Sequence, residues 1–438
     1  MRWIYLIIFV STFLLTYPRM YSFLDEAGYM GMTYTLKEGT IYADQANLKF
    51  PQSFFNGKHV VFKHPFGWPL FLIPFTPLNG ELMFLGTFFY FVLGYIFFLK
   101  ILKIFEVPDY YGFIYLFYPP FVIYSRTIMS DLPSGVFMLI SFYFLLKKKP
   151  FHFFIAGFLT GISVSMRYPN IFFFLVFSIS LLIKNKKGFM LYLLGAFPWG
   201  VSIILYNYFS YNTFFGDLAH TGFFTRKVFL DYFFHYLLSL FLIYPFLPFA
   251  PILTKKAFRY ETTAVLAIFL IFYSFWYFYQ MRDNFLETLI MGPRFLIPVM
   301  FLLLPYYPFL CEKIFSTFSR NLRTFLKILF PLIFIIGGSG ISLKHQKFTI
   351  KQRALRDFII ENTPEGEVLV LFSHTAELIQ SFWTSAEIYY DYPEICKERD
   401  CYVATDNPDL TYFQKFSVSA ELIKSSGGVY LIKTRPLH

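Results

Sequence analysis

The sequence predicts an all-α polytopic membrane protein that ends in a small α/β domain, and three observations support this prediction. Of its 438 residues, 56% are hydrophobic and only 15% are charged, whereas soluble proteins carry roughly 25% charged residues. Apolar runs close to the length that crosses a bilayer recur through residues 1–343. Residues 344–438 instead mix charges with short apolar runs. The repeated apolar runs argue against a large soluble protein with an unusually aromatic core.

We predict about eleven transmembrane helices in residues 1–343. The first span follows Arg2, and no small-residue cleavage site follows Pro18. We therefore expect an uncleaved first span rather than a signal peptide. Several of the apolar runs are shorter than about 20 residues, so their boundaries are approximate. The predicted spans are 3–18, 82–99, 110–125, 133–146, 151–166, 171–183, 189–209, 232–253, 262–280, 295–311 and 326–343.

The distribution of charge predicts the orientation of these spans. One alternate set of connections holds sixteen basic and four acidic residues, and the opposite set holds eleven basic and ten acidic residues. Basic residues are enriched on the cytoplasmic side of membrane proteins, so the N-terminus is predicted to be cytoplasmic. With an odd number of spans, residues 344–438 are then extracytoplasmic. The formal charge of +11 is largely this topological signal and gives no reason to expect nucleic-acid binding.

The C-terminal segment is predicted to form an α/β domain on the outer face of the membrane. Runs typical of β-strands lie at Val368–Phe372, Cys401–Ala404 and Val429–Lys433, and helical stretches lie at 351–360 and 376–383.

The three cysteines do not suggest a metal site, because no metal-type spacing of cysteine and histidine is present. Cys396 and Cys401 either form a disulfide, which an extracytoplasmic domain permits, or remain free thiols. Cys311 falls in a predicted span and is interpreted as a small apolar side chain.

Charged residues gather at the predicted external ends of the spans, while the spans themselves carry almost no charge. A pump or carrier would place ionisable groups and broken helices near the bilayer midplane. The pattern instead predicts a site at the outer surface, open to lipid and to water. The charged and titratable residues near these external ends include Asp25, Glu26, Arg126, Asp131, Arg167, Asp217, His220, Arg226, Lys227, Arg282, Asp283, Glu287 and Arg294.

The first external connection, 19–81, is too long for a simple turn. Its first part predicts a short helix that begins near Asp25 and ends at Gly39. A carboxylate in the first turn of a helix is stabilised in its ionised form. The later part, Lys63–Pro69, is aromatic and broken by prolines, so we expect it in the membrane interface, where the loop would cover a pocket for a lipid-linked substrate.

Several segments, in order along residues 20–310, together resemble the GT-C glycosyltransferases. The resemblance is greatest to the group that contains protein O-mannosyltransferases and lipid A aminoarabinose transferases. The matching segments are Asp25-Glu26-x-x-Tyr29 with Leu36-x-x-Gly39, His64-Pro65-x-x-x-Pro69-Leu70, Tyr124-Ser125-Arg126 with Ser130-Asp131-Leu132-Pro133, Met166-Arg167-Tyr168-Pro169, Tyr206-Asn207 with Phe215-Gly216-Asp217 and Gly222, and Gly292-Pro293-Arg294-Phe295-Leu296-x-Pro298.

This resemblance implies transfer of a sugar from a polyprenyl-phosphate donor to a lipid, glycan or protein acceptor at the outer face. Asp25 is the expected general base, with inversion at the anomeric carbon, and Glu26 and Asp131 would position the acceptor or orient Asp25. No cofactor is assigned, and the need for a divalent cation is left open because some GT-C enzymes use one and others do not. The expected phosphate-binding residues are Lys63, His64, Arg126, Arg167 and Arg294.

One departure from the aminoarabinose transferases concerns the residue before Tyr29. Those enzymes carry an arginine there, and this chain has Gly28. A phosphate contact at that place must come from another residue, and Lys63 is the first choice. The loss also weakens any assignment of their particular donor sugar.

Structural roles compete with these catalytic ones. Asp25 and Glu26 would also suit a pair that caps a helix, and Asp131 would suit an N-cap. Arg126, Arg167 and Arg294 would also suit side chains that anchor the protein at the membrane interface. His64 would also suit an ordinary loop position. At the level of the whole protein, the alternatives are a transporter or flippase for a lipid-linked glycan and an interaction protein that works through residues 344–438.

Overall fold

The computed structural model describes residues 2–43, 53–78, 82–214, 224–276, 285–372, 387–389, 394–406 and 409–436. The chain divides by its internal contacts into two compact units. The helical unit comprises Met1–Tyr17, Pro65–Trp68 and Gly86–Leu343. The mixed unit comprises Pro18–His64, Pro69–Leu85 and Lys344–His438.

Helices dominate the described residues up to 362, and strands appear in the first loop and after 362. In chain order the α-helices are α1 (Arg2–Leu15), α2 (Leu24–Lys37), α3 (Gly67–Leu72), α4 (Phe84–Ile104), α5 (Phe113–Leu116), α6 (Pro119–Tyr124), α7 (Asp131–Lys147), α8 (Pro150–Met166), α9 (Ile171–Lys184), α10 (Lys186–Tyr211), α11 (Phe229–Ile243), α12 (Ala250–Leu253), α13 (Arg259–Ser274), α14 (Phe285–Met291), α15 (Ile297–Leu303), α16 (Tyr307–Phe315) and α17 (Arg320–Asn362). The strands are β1 (Ser53–Phe55), β2 (Val60–Phe62), β3 (Val368–Leu371), β4 (Glu387–Tyr389), β5 (Cys401–Thr405), β6 (Val418–Ser426) and β7 (Val429–Pro436).

Four helical segments among the described residues are long and apolar enough to cross a membrane: Phe84–Ile104, Lys186–Tyr211, Thr288–Phe315 and Arg320–Asn362. A fifth is added if α11 and the segment Leu247–Leu253, which meet at 95°, form one span. Each of the eleven predicted spans coincides with one or more helices, but several of these helices are short. The 14-residue α1 is about 21 Å long, against a hydrocarbon core of about 30 Å. The number eleven therefore stays a prediction.

Three predicted spans are interrupted. The span 110–125 consists of the short helices α5 and α6, separated just before Pro119. The span 295–311 is divided between α15 and α16, with prolines near each junction, and the span 232–253 bends between α11 and α12. A proline removes a backbone donor and clashes with the preceding turn, so hydropathy alone locates an apolar segment but misses such breaks.

The last helix is longer than the sequence predicted. The span 326–343 lies within α17, which has 43 residues and continues to Asn362. The helical stretch predicted at 351–360 is confirmed, but it is the end of α17 and not a separate helix. Residues 344–362 contain neither glycine nor proline, so nothing stops the helix once its apolar part has ended.

Glycines allow α8 and α10 to pack with their backbones in contact. A Cβ atom on Gly157 would lie 1.9 Å from the carbonyl oxygen of Tyr192, and one on Gly195 would lie 2.1 Å from that of Phe154. Only glycine is compatible with such an approach, which is the usual role of small residues between membrane helices.

Hydrogen bonds add to this packing in the interior of the helical unit. Ser141 of α7 bonds to the hydroxyl of Thr160 on α8 at 2.8 Å, and the hydroxyl of Tyr192 on α10 donates to Thr160 at 3.0 Å. Helices α7, α8 and α10 are thus joined by polar contacts in addition to the close packing of α8 and α10.

In the mixed unit, the C-terminal sheet has five strands in the order β4-β3-β5-β7-β6. Strand β3 is parallel to β4 and β5, whereas β7 is antiparallel to β5 and β6. The strands predicted at Val368–Phe372, Cys401–Ala404 and Val429–Lys433 correspond to β3, β5 and β7. The prediction missed β4 and the polar edge strand β6, and the helix predicted at 376–383 lies outside the described residues.

Cys396 and Cys401 form a disulfide, which settles the alternative left open by the sequence. Both cysteines are buried in the core of the C-terminal sheet, next to Val368 and Ile432. Cys311 is a buried free cysteine in α16.

The described part of the first loop holds α2 and a small hairpin. The helix predicted to end at Gly39 ends at Lys37, and Gly39 follows it with φ +81°. Strands β1 and β2 pair antiparallel around Gly57, whose φ is +94°. Strand β2 is fully buried and leads directly to Lys63.

Candidate functional site

The first turn of α2 carries the two acidic residues of the leading motif, and the structure separates their roles. Glu26 is completely buried, and its Oε1 accepts hydrogen bonds from the backbone N–H groups of Ser22 at 2.7 Å and Phe23 at 3.0 Å. These contacts fix the start of the helix by satisfying amides that precede it. The capping alternative therefore describes these contacts of Glu26, which lies in the same helical turn as Asp25.

Asp25 is partly exposed and precedes Tyr29 by four residues. Residues at i and i+4 lie on the same face of a helix. The ring of Tyr29 stacks on that of His64, with centroids 4.3 Å apart and planes inclined by 24°. The face of α2 that bears Asp25 is therefore turned towards the chain that follows β2. We call Asp25, Glu26, Tyr29, Lys63 and His64 the α2 cluster.

Lys63 is the half-buried cation of the α2 cluster. Among the residues that the structure describes, no hydrogen bond, ion pair or ring contact reaches its ammonium group. An ammonium group that is partly withdrawn from water favours a nearby anion. Lys63 therefore has the properties expected of an anion-binding residue.

A second group of site residues lies in the interior of the helical unit. Asp131 is the first residue of α7 and is completely buried. Its Oδ1 accepts a hydrogen bond from Nη1 of Arg167, and its Oδ2 accepts one from Nε of Arg294 at 3.3 Å. The N-cap of α7 is Ser130 and its side chain makes no capping bond, so the capping alternative does not describe Asp131.

Two aromatic residues complete this group. The Arg167 Nη2 donates to the hydroxyl of Tyr273 at 3.2 Å. The ring of Phe295 lies 5.1 Å from the Arg167 guanidinium and 5.3 Å from that of Arg294, and it stacks on Tyr273 at 5.0 Å. Arginines held between a carboxylate and an aromatic face lose little further freedom when they bind an anion. We call these four residues, together with Asp131, the Asp131 cluster.

The two aromatic residues differ in how far the sequence could indicate them. Phe295 follows Arg294 within its motif, whereas Tyr273 lies in an apolar span among many other aromatic residues and had no distinguishing signal. The burial of Arg167 and Arg294, at 9% and 6% exposure, excludes the interpretation of these arginines as anchors that reach for the membrane interface.

Arg126 has a different environment. Its Nη1 donates to the hydroxyl of Thr16 at 2.7 Å, its Nη2 donates to the Thr16 carbonyl, and the guanidinium lies 5.7 Å from the ring of Phe13. Only 1% of the residue is exposed. Arg126 therefore fixes the C-terminal end of α1, where a cation complements the helix dipole. It is neither an interface anchor nor a member of the Asp131 cluster by its described contacts.

Two residues of the aromatic segment after His64, Gly67 and Trp68, are buried within the helical unit. Trp68 is completely buried, and its Nε1–H donates to the carbonyl of Ile128 at 2.9 Å. A Cβ atom on Gly67 would lie 2.3 Å from the hydroxyl of Ser165. Trp68 thus fixes the turn between Arg126 and Asp131 in the helical unit.

The described residues contain no group of three or more His, Cys, Asp or Glu side chains arranged to hold a metal ion. The predicted external residues Asp217, His220, Arg282 and Asp283 lie outside the described residues, as does the side chain of Glu287.

Comparison with known proteins identifies the fold. No protein-family model matches the chain, and no curated protein sequence matches it significantly. Two crystal structures of ArnT from Cupriavidus metallidurans, one bound to undecaprenyl phosphate and one in the apo state, match it with TM-scores of 0.68 and 0.69 at 11% sequence identity. Each match covers 98% of this chain and 97% of ArnT. The chain has the ArnT fold.

The ArnT fold confirms the fold class predicted from the sequence. The protein is a multi-pass, mostly helical membrane protein with a small mixed sheet at its C-terminal end. The motif resemblance pointed to the group that includes the lipid A aminoarabinose transferases, and at the level of fold ArnT bears this out. The fold match extends beyond residues 20–310, where the motifs lie, to the C-terminal sheet, for which the sequence suggested no relative.

Proposed function

We propose that this protein is a glycosyltransferase that moves a sugar from a polyprenyl-phosphate donor to a lipid, glycan or protein acceptor at the outer face of the membrane. The ArnT fold over the whole chain supports this proposal. The observation that carries the proposal is the α2 cluster. There the partly exposed carboxylate of Asp25 lies at the start of a helix, and the stacking of Tyr29 on His64 connects this helix to Lys63, for which the described residues provide no partner.

The proposed reaction is a direct displacement. The hydroxyl oxygen of the acceptor forms a bond to the anomeric carbon, its proton passes to a carboxylate, and the bond between that carbon and the phosphate oxygen breaks. The products are the glycosylated acceptor, with inverted configuration, and polyprenyl phosphate. Because the phosphate gains one negative charge when it leaves, cations placed around it stabilise the transition state more than the bound donor.

Asp25 is the proposed general base. Glu26 uses its Oε1 to hold the start of α2, which orients the neighbouring carboxylate. Asp25 lies in the first turn of the helix, is partly exposed, and shares a face with Tyr29. A base needs access to a proton on a bound acceptor, and Asp25 has the exposure that Glu26 lacks.

Lys63 and His64 are the proposed phosphate contacts of the mixed unit. Lys63 is placed directly before the ring that stacks on Tyr29, and its ammonium is the cation of the α2 cluster. It replaces the arginine that the aminoarabinose transferases carry where this chain has Gly28.

The helical unit contains its own proposed phosphate-binding arginines. Arg167 and Arg294 are oriented by the carboxylate of Asp131 and by the ring of Phe295, so they would bind a phosphate without first having to be ordered. Arg126 is proposed as a weaker contributor, because its described hydrogen bonds already hold α1. Asp131 then acts by positioning the two arginines.

The orientation is part of the proposal. The excess of basic residues on one set of connections supports a cytoplasmic N-terminus, with α2, the Asp131 cluster and the C-terminal sheet assigned to the extracytoplasmic side. The donor would then arrive laterally through the membrane in its outer leaflet.

Mass spectrometry of envelope glycolipids and glycoproteins from a deletion strain tests this function. We expect one sugar to be missing from the deletion strain and to return when the wild-type gene is restored. Asp25→Asn, expressed at the wild-type level, should leave the sugar missing. The matched control is Asp109→Asn, which removes an exposed carboxylate that pairs with Arg2 and should restore the sugar in full.

Full restoration by Asp25→Asn would contradict the assignment of the base. If the protein were a flippase, the donor lipid would accumulate in the inner leaflet of the deletion strain. Purified protein would then move labelled donor across a liposome membrane without forming any glycosylated product.

A further inference from the structure

A histidine on the last helix contacts the chain just before α2. His345 lies in α17, directly after the apolar part of that helix, and only 9% of it is exposed. Its Nε2 is 2.7 Å from the hydroxyl oxygen of Ser22, a residue of the same compact unit. The two residues are 323 positions apart, so no local sequence pattern indicates their contact.

Ser22 is held at two points. Its backbone N–H donates to Oε1 of Glu26 at 2.7 Å, and its side chain bonds to His345. Ser22 precedes Asp25 by three residues, so both bonds act on the turn in which α2 begins. The first N–H groups of a helix lack partners within the helix, and the start of a helix therefore depends on contacts of this kind to stay in place.

We propose that His345 is a positioning residue for Asp25, acting through Ser22. The proposal rests on the function proposed above, in which Asp25 is the base. A base displaced by about 1 Å from its productive position loses much of its effect. The bond from His345 restrains the N-terminal end of α2 independently of Glu26, and it makes the C-terminal part of the mixed unit necessary for full transfer.

The chemistry of the bond provides a conservative test. The histidine Nε2 either donates to the serine hydroxyl or accepts from it, depending on its tautomer. A glutamine side chain offers both a donor and an acceptor, so His345→Gln can keep the bond, whereas His345→Ala cannot. Ser22→Ala removes the same bond from its other end.

The experiment compares His345→Ala, His345→Gln, Ser22→Ala and the double variant His345→Ala with Ser22→Ala. Lys351→Ala, at an exposed position of α17, is the control. The first readout is hydrogen exchange of the backbone amides of residues 24–30 in the purified full-length protein. The second is the amount of the sugar restored to the deletion strain at equal expression.

We expect His345→Ala to speed the exchange of these amides and to lower sugar transfer, each about 10-fold or more, and His345→Gln to restore both. Ser22→Ala should match His345→Ala, and the double variant should be no worse than either alone, because all three lack the same bond. A glutamine variant as defective as the alanine variant, losses that multiply in the double variant, or unchanged exchange would each overturn the inference. Full transfer by Asp25→Asn would instead overturn the proposed base.

Discussion

Arg167, the residue that follows α8, donates a hydrogen bond to Asp131 at the start of α7, although the two are 36 positions apart. The second oxygen of the same carboxylate accepts from Arg294, which is 163 residues from Asp131. A single buried carboxylate thus orients two guanidinium groups. Removing it would leave two buried cations without their described counterion, which is more costly than the loss of one hydrogen bond.

We expect Asp131→Ala to destabilise the protein by about 3–5 kcal/mol, as found when one partner of a buried ion pair is removed. Thermal unfolding in detergent measures the change. Asp131→Asn keeps one carbonyl acceptor and should lose less. The control is Glu421→Ala, which breaks an exposed pair with Arg435 in the mixed unit and should cost less than about 1 kcal/mol. Equal shifts for Asp131→Ala and Glu421→Ala would contradict the stabilising role of the Asp131 cluster.

The sequence motifs identified Arg126 and five charged residues of the two clusters. They did not show which of these residues pair with each other. The motifs mark the ends of apolar segments, and such ends can be recognised from the sequence alone. Which carboxylate meets which arginine depends on the packing of α7, α8 and the segment Gly292–Leu296, and no local pattern reports that packing. Glu26 illustrates the limit, since its neighbour Asp25 has the same chemistry and only burial distinguishes the two.

Residues without a polar signal were harder to predict. Tyr273 is one of 34 tyrosines and lies in an apolar span, so its contact with Arg167 was not foreseeable. His345 is comparable, because a lone histidine after a span suggests no partner. The strand β6 was missed because its exposed residues are largely polar, and strand prediction relies on apolar alternation.

Gly195 offers a test of the contact between α8 and α10. A Cβ atom there would lie 2.1 Å from the carbonyl oxygen of Phe154, so Gly195→Ala must push the two backbones apart. We expect a loss of about 1–3 kcal/mol of stability in thermal unfolding, the usual effect of overpacking. Gly200→Ala is the control on the same helix, since nothing lies within 4 Å of its Cβ position.

The control should change stability in the opposite direction. Replacing an exposed helical glycine by alanine gains up to about 1 kcal/mol, because the unfolded chain loses conformational freedom. If Gly195→Ala and Gly200→Ala shifted the unfolding temperature equally, the close approach of the two helices would not be a determinant of stability.

Trp68 fixes the turn between Arg126 and Asp131 by donating to the carbonyl of Ile128. Trp68→Phe keeps an aromatic ring but removes the donor and some of the buried volume. We expect it to cost about 1–3 kcal/mol and to reduce sugar transfer, because the start of α7 carries Asp131. Trp3→Phe, at a position that is 53% exposed, is the control. A Trp68→Phe variant with wild-type unfolding and transfer would show that this hydrogen bond is dispensable.

Lys63 should bind the phosphate of the lipid donor, and this can be measured without knowing the sugar. We expect Lys63→Met to weaken the binding of undecaprenyl phosphate to the purified protein roughly 10- to 100-fold, the effect of losing one charged hydrogen bond. Lys63→Arg keeps the cation and should retain most of the affinity.

Lys58→Met, which removes an exposed lysine from the turn before β2, is the matched control and should bind as the wild type does. Because attraction between a partly buried cation and a phosphate is only partly screened by salt, the difference between the two methionine variants should persist at high ionic strength. Equal affinities for Lys63→Met and Lys58→Met would remove Lys63 from the proposed phosphate-binding residues.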